Sequence, residues 1–345
     1  MSKKILVTGG AGYIGSHTIV ELIEKTGYEI ISVDNFSNSA PLTFDRIEQV
    51  TGKRVRNYEV DLCSIEETEA FFQQEKDIAG VIHFAAFKSV PESVANPHKY
   101  YHNNISALLN LLEMCLKYQV NDFIFSSSCS VYGNIDEMPV SEDSQLGKAV
   151  SPYAYTKQIG EQVLVDYARV YPQLQVIALR YFNPAGAHRS ALMGEDPINV
   201  PTSLVPVITK TAIGKIPQMA VYGSDYATRD GSCVRDYIHV CDIAEAHILA
   251  LEYLFDGKNE SNFDIFNLGT GQGITVLEAI ASFEKVSGQK LNYVMGPRRD
   301  GDVEAIYSDT KKSKTMLGWE PRYSLDEIMD STWKWENNVK NNEVH

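Results

Sequence analysis

The stretch from Lys3 to Asp34 constrains the fold more than any other. Residues 3–8 read as a short buried strand. Gly9, Gly10, Ala11, Gly12, Tyr13, Ile14 and Gly15 follow, then an apolar-periodic helix to about Lys25 and a second strand from Glu29 to Asp34. The glycines fit two spacings, GxGxxG on 10, 12 and 15 and GxxGxxG on 9, 12 and 15. Both have one physical reading. Glycine permits the tight turn and the close approach of a pyrophosphate, and the helix N-terminus supplies N–H donors and a positive dipole end. Position matters as much as composition, because the loop sits between a strand and a helix. Asp34 ends the second strand, nineteen residues beyond Gly15. A carboxylate there accepts from ribose hydroxyls and repels a 2′-phosphate, which favours NAD over NADP.

The β-α alternation continues. Strands are expected at 56–61, 80–85, 122–126 and 175–182, with helices from Ser64, from Pro97 to Lys117 and from Tyr153 to about Val170. The strands are short and apolar on both faces, as parallel sheets require. The order predicts an α/β fold, a Rossmann-type doubly wound parallel sheet, with ligands at the carboxyl ends of its strands. Gly9, Asp34, Asp61, Ala85 and Ser127–Ser128 all fall at those ends. Beyond Asn183 the chain becomes richer in Pro, Gly, Asp and Ser. The expected division is therefore a dinucleotide-binding domain over 1–182 and a smaller, discontinuous C-terminal α/β substrate domain over 183–345. Part of 234–268 is expected to return to the first domain, and the polar tail from Asn337 to His345 to fray.

Tyr153 and Lys157 stand four residues apart, on one face if the stretch is helical. A free phenol has a pKa of about 10 and is a poor base at neutral pH. A nearby ammonium favours the phenolate, which suits Tyr153 to general acid–base work. The alternative is a surface tyrosine with a lysine beside it.

Composition sets outer limits. At 345 residues the chain is long enough for two domains, and its 44% hydrophobic and 22% charged residues are ordinary for a globular protein. No run reaches the ~18 apolar residues of a membrane span. The five cysteines form no CxxC, so neither a disulfide framework nor a metal site is indicated, and a reduced cytoplasm fits. A net charge of −14 argues against nucleic acid and against anionic membrane as partners. It also requires that any phosphate ester be held by local donors.

Taken together, TGGAGYIGSH at 8–17, Asp34-Asn35, the serines at 126–128, the Tyr153–Lys157 pair and RYFNPAGAH at 180–188 resemble the extended short-chain dehydrogenase/reductases. Gly194–Pro197, Val234–Val240, Asn267–Gly271 and Arg298–Asp302 bring the resemblance closer to the UDP-hexose 4-epimerases, over about residues 3 to 337. The resemblance implies interconversion of UDP-glucose and UDP-galactose. Tyr153 takes the proton of the 4′-hydroxyl, a hydride passes from C4′ to bound NAD, and the 4-keto sugar turns and is reduced on its other face. It implies that Lys157 bonds the nicotinamide ribose and that Ser128 bonds the 4′-oxygen. Gly9, Gly12, Tyr13, Ile14, Gly15, Asp34, Asn35, Asp61, Leu62, Phe84, Lys88 and Asn103 match its NAD shell. Asn183, Leu204, Ala220, Tyr222, Arg235, Arg299 and Asp302 match its uridine diphosphate shell. Arginine's forked donors suit a pyrophosphate, although Arg235 has an alternative in an ion pair with Asp236 or Glu245.

Some positions depart from the pattern. Ser203 stands where asparagine is common, Pro91 and Ala86 replace glycines, and Cys129 and Ser130 replace alanine and threonine. A 4,6-dehydratase of the same superfamily carries an Asp-Glu pair at the latter two places. A sugar-nucleotide reductase, disfavoured because Asp34 repels NADPH, a UDP-glucuronate 4-epimerase and a non-catalytic NAD sensor are the other readings. Ile306 falls where the resemblance places a gate at the sugar's 2-position. Isoleucine there implies slower turnover of UDP-N-acetylglucosamine, unless Tyr307 fills the space. The helices around 98–118 and 153–170 are apolar beyond one stripe, with Ile105, Leu108, Leu109, Leu111, Leu112, Cys115 and Leu116 covering a wide arc on the first. That predicts a homodimer through a four-helix contact; the alternative is that the second domain covers the arc.

Overall fold

The computed structural model describes residues 2–135, 137–196, 198, 201, 203–299 and 302–343. Pro197 of the Gly194–Pro197 run, Asp300 and Gly301 of the Arg298–Asp302 run and the terminal His345 lie outside the described residues. In chain order the first elements are β1 (Lys4–Thr8), α1 (Tyr13–Lys25), β2 (Glu29–Val33), α2 (Leu42–Thr51), β3 (Arg56–Tyr58), α3 (Ile65–Gln74), β4 (Ile78–His83), α4 (Val90–Ala95) and α5 (Pro97–Lys117). Next come β5 (Asp122–Ser128), α6 (Pro152–Val170), β6 (Gln175–Tyr181), β7 (Asn183–Ala185), α7 (Leu204–Ala212), β8 (Met219–Tyr222), β9 (Val234–Arg235) and β10 (Tyr237–His239). The last are α8 (Val240–Phe255), β11 (Phe263–Leu268), β12 (Ile274–Thr275), α9 (Val276–Ser287), β13 (Tyr293–Gly296), β14 (Ala305–Ile306) and α10 (Leu325–Glu343).

Seven strands form one parallel sheet in the order β11-β6-β5-β4-β1-β2-β3. The order reverses beside β1, which opens a crevice at the carboxyl ends of β1 and β4. Alternation along β1 explains the two layers. Ile5 and Val7 join a core with Ile19 of α1 and Ile243 of α8, while Leu6 joins one with Phe71 of α3 and Leu108 of α5. Each such fully buried side chain stabilises the fold by roughly 1.5–3 kcal/mol. The edge strand β11 and helix α8 both come from beyond residue 239, so the chain does return to this sheet after leaving it.

A third core lies outside the sheet. It unites Val205 and Ile208 of α7, Met219 and Val221 of β8, Ile280 and Phe283 of α9 and Ile328 and Met329 of α10. Helix α10 runs to Glu343, with Trp335 and Glu336 buried in the turn before Asn337. Strand ends also differ from expectation. The edge strand β3 stops at Tyr58 because only Arg56–Tyr58 pairs with β2, while β5 runs on to Ser128 because β6 pairs with it to that point. Among the described residues no helix is long and apolar enough to cross a membrane.

Candidate active site

The crevice is one continuous cavity of about 890 Å³ running from the glycine loop to the segment around Ile306. Its walls include each residue singled out above for cofactor, substrate and catalysis, from Gly9 to Ile306. The sheet supplies one end and the smaller layer the other.

At the dinucleotide end, Gly9 has φ +71°, and a Cβ there would lie 2.8 Å from the Ala85 nitrogen. A Cβ on Gly15 would lie 2.3 Å from the Gly9 carbonyl oxygen. Gly10 instead packs against Ser32 behind the loop and does not line the cavity, so the 9-12-15 spacing is the one that shapes it. Helix α1 begins at Gly12 with no side-chain cap and no acidic residue in its first turn. Its leading N–H groups thus remain uncapped and suited to an anion. Asp34 accepts from the Ala11 nitrogen at 2.9 Å, the Phe36 nitrogen at 2.9 Å and the Ser39 hydroxyl at 2.8 Å. Three donors fix its orientation, and a carboxylate's roughly four acceptor sites leave capacity for a ribose hydroxyl. These residues fit a dinucleotide.

At the centre, α6 starts cleanly because Ser151 caps it at 3.1 Å from the Ala154 nitrogen and Pro152 occupies the first turn. Tyr153 and Lys157 therefore emerge on one face. Lys157 is buried, donates to the Ser126 carbonyl oxygen at 2.5 Å and lies 4.9 Å over the Phe125 ring. Burial pulls its pKa down to about 8, against an upward pull from Glu161. Tyr153 departs from expectation. Burial pushes its phenol up to about 12, and the opposing influence is a hydrogen bond with Ser128, with the ammonium of Lys157 not among the leading causes. Desolvation of a phenolate outweighs the lysine here.

A buried network beneath this face was not expected from the sequence. Arg180 grips Glu161 with two hydrogen bonds of 2.8 and 2.6 Å, and the Ser127 hydroxyl also donates to Glu161. Glu161 lies one turn beyond Lys157, and Ser127 precedes Ser128, so the pair locks helix α6 to the end of β5. The signal was an arginine inside the apolar strand β6, since a buried charge needs a partner.

At the far end, Arg235 of β9 lies opposite Ile306 of β14. Arg235 pairs with neither Asp236 nor Glu245. It reaches Asp302 at 3.5 Å, and Arg299 reaches the same carboxylate at 2.9 Å. Asp236 is instead a buried strut, accepting from Thr270 and Gly271 nitrogens at 2.7 and 3.1 Å and from the Ser308 hydroxyl at 2.7 Å. Those bonds give the Val234–Val240 and Asn267–Gly271 runs a physical reason. Tyr222 is exposed, with the Arg299 guanidinium 5.3 Å over its ring. Ile306 is buried and faces the cavity, whereas Tyr307 packs beside Gly273 and lines a separate pocket. Among the described residues no cluster of three or more His, Cys, Asp or Glu suits a metal ion, and all five cysteines are free thiols.

The fold and the site together define an extended short-chain dehydrogenase/reductase. Residues 6–332 match the family model described as GDP-mannose 4,6 dehydratase. The chain is 47% identical to the UDP-glucose 4-epimerase of Bacillus subtilis (strain 168), over 98% of each. It belongs to the UDP-glucose 4-epimerase family. Among solved structures it is similar to the Bifidobacterium longum UDP-glucose 4-epimerase in complex with NAD+ and UDP. The TM-score is 0.93 at 43% identity, covering 98% of this chain and 99% of that one. It is also similar to the Stenotrophomonas maltophila enzyme with bound NAD and formylated UDP-arabinopyranose. There the TM-score is 0.94 at 42% identity, covering 99% of both.

Proposed function

We propose that the chain is an NAD-dependent isomerase that interconverts UDP-glucose and UDP-galactose at C4 through a 4-keto sugar. The observation that carries this is the single cavity joining the glycine cradle to Arg235 and Arg299, with Tyr153 and Ser128 between. The family-model name raises water elimination as a rival. That reaction needs an acid and a base after Ser128, and this chain has Cys129 and Ser130. The test is incubation of the purified protein with UDP-galactose and no added NAD+, which should yield UDP-glucose. An absence of product with bound NAD present would sink the proposal.

NAD, when bound, supplies the acceptor for the C4 hydrogen and a positive charge that opposes the burial effect on Tyr153. Gly9, Gly12, Tyr13, Ile14 and Gly15 would hold its diphosphate region, Asp34 and Asn35 a ribose, and Asp61, Leu62, Phe84, Lys88 and Asn103 would form the remaining wall. Tyr153 takes the proton of the 4′-hydroxyl and later gives it back, and Ser128 fixes the 4′-oxygen. Lys157 would hold the second ribose. Arg235 and Arg299 release part of their hold on Asp302 to grip the diphosphate with charge-assisted bonds, while Asn183, Leu204, Ala220 and Tyr222 surround the rest of the nucleotide. A substrate anchored only at its diphosphate is free to turn its sugar and present either face to one fixed base.

Ile306 sets the room at the sugar's 2-position. Isoleucine is stiff at χ1 and has no polar atom, so it neither swings away nor bonds an acetamido group. Tyr307 faces elsewhere, which supports a pocket with room to spare. UDP-N-acetylglucosamine is therefore turned over less well than UDP-glucose, by roughly 10–200-fold in kcat/KM, the range for a small change in a pocket wall. Comparing the two substrates in Ile306→Tyr and Ile306→Ser checks this; an unchanged ratio in Ile306→Tyr contradicts it.

A homodimer through α5 and α6 is supported by their side-by-side packing and by outward apolar groups. Val165 and Tyr155 are exposed, and the Tyr155 and Tyr101 rings meet edge to face at 6.3 Å. A monomer by light scattering at micromolar concentration overturns it. The five free thiols support a reducing, cytoplasmic setting.

A further inference from the structure

The dinucleotide end of the cavity has a wall that the sheet does not supply. Met193, Gly194, Glu195 and Asp196 line it, yet they come from the chain beyond β7. Two ion pairs join this segment to the sheet side. The Lys88 ammonium, after β4, meets Glu195 at 2.8 Å, and the Arg46 guanidinium, on α2, meets Asp196 at 3.0 Å. All four residues face the same cavity. Behind the segment stands the buried indole of Trp335 on α10. A Cβ on Gly194 would lie 2.4 Å from that ring, and the Arg46 guanidinium lies 4.9 Å over it. Upstream, the Tyr13 phenol donates to the Gly186 carbonyl oxygen at 2.6 Å, and Arg189 pairs with Glu24 at 3.0 Å. One run of chain from 186 to 196 is thus pinned at both ends of α1, on α2 and at Lys88 after β4.

We infer that residues 194–196 are a strap that retains the cofactor, resting on the reading of this cavity as an NAD site. A reaction that takes a hydrogen and returns it within one turnover has no use for cofactor exchange. The two ion pairs are contacts across the cavity, and a side chain at position 194 would run into the Trp335 ring. Glu195 is nearly buried while its partner is half exposed, so the pairs act as fasteners at the rim.

The experiment loads the full-length protein with NAD+, dilutes it, and follows retained nucleotide over time by desalting and chromatographic quantitation. Glu195→Gln/Asp196→Asn is expected to release NAD+ roughly 2–30-fold faster at low ionic strength, the range for two partly exposed pairs. Wild type is expected to approach the variant's rate near 1 M salt, where the Debye length is about 3 Å. Arg46→Asp alone is expected to be fast, and Arg46→Asp combined with Asp196→Arg to recover slow release. That swap keeps the idea testable if the neutral variant folds poorly. Equal release rates in wild type and variant overturn the strap. So does slower release in Glu195→Gln, which would mean that Glu195 draws Lys88 away from the cofactor. A wild type that retains no dinucleotide at all sinks the NAD reading instead, so the two failures are distinguishable.

Discussion

The two ends of the cavity are built on different principles. The dinucleotide end is made of backbone: three glycines, an uncapped helix terminus and a carboxylate already held by three protein donors. The nucleotide-sugar end is made of side chains from β7, β9, β14 and the loops between, and its two arginines share one aspartate. The first is shaped by the backbone itself. The second holds its charge in internal ion pairs. A cofactor kept through every turnover suits the first kind of site, and a substrate that must enter, turn and leave suits the second.

The largest effect is expected between the two ends. Tyr153→Phe should lower kcat by ~10²–10⁴-fold, the usual loss for a general acid–base group, while melting temperature and bound nucleotide stay unchanged. Next, Arg235→Met should weaken UDP binding by roughly 10–150-fold, since a hydrogen bond to a charged group is worth about 1.5–3 kcal/mol. Calorimetric titration with UDP measures this, and NAD content should not move. If NAD content falls as well, the two ends are not independent.

Gly15→Ala breaks the other end. The added methyl meets the Gly9 carbonyl oxygen, and overpacking of this kind costs about 1–3 kcal/mol. Bound nucleotide measured after purification should drop while UDP affinity holds.

The smallest effect appears only in acid. Burial pulls His17 down to about 4 and His247 to about 4, from an ordinary 6.5, and both sit in helices against the sheet. The unfolded chain binds the protons that these groups refuse. Stability is therefore fully present above about pH 6.5 and is lost as pH falls toward 4. His17→Gln should reduce that slope near pH 5 by up to about 1.4 kcal/mol per pH unit, read from urea midpoints, and change little at pH 7. A slope unchanged by the substitution would show that His17 is protonated in the folded protein.

The same contrast governs what could be read from the sequence. The glycine cradle occupies a short contiguous run and depends on backbone, so spacing alone located it, and with it the parallel sheet. The choice between Gly9 and Gly10 needed the structure, because only packing against Ser32 and Ala85 separates them. At the other end, Arg235, Arg299 and Asp302 were named through resemblance, but their shared pairing arises from β9 and β14 meeting side by side. The burial of Tyr153 was not legible, since spacing reports the neighbour Lys157 and says nothing of desolvation. Glu161 was missed although Arg180 stood in an apolar strand.

The central claim is that one base serves both faces of a substrate that keeps its own C4 hydrogen. UDP-galactose carrying deuterium at C4 tests this directly, in ordinary water with no added cofactor. The account predicts UDP-glucose with the deuterium retained at C4. Product that has lost the label to solvent would contradict it.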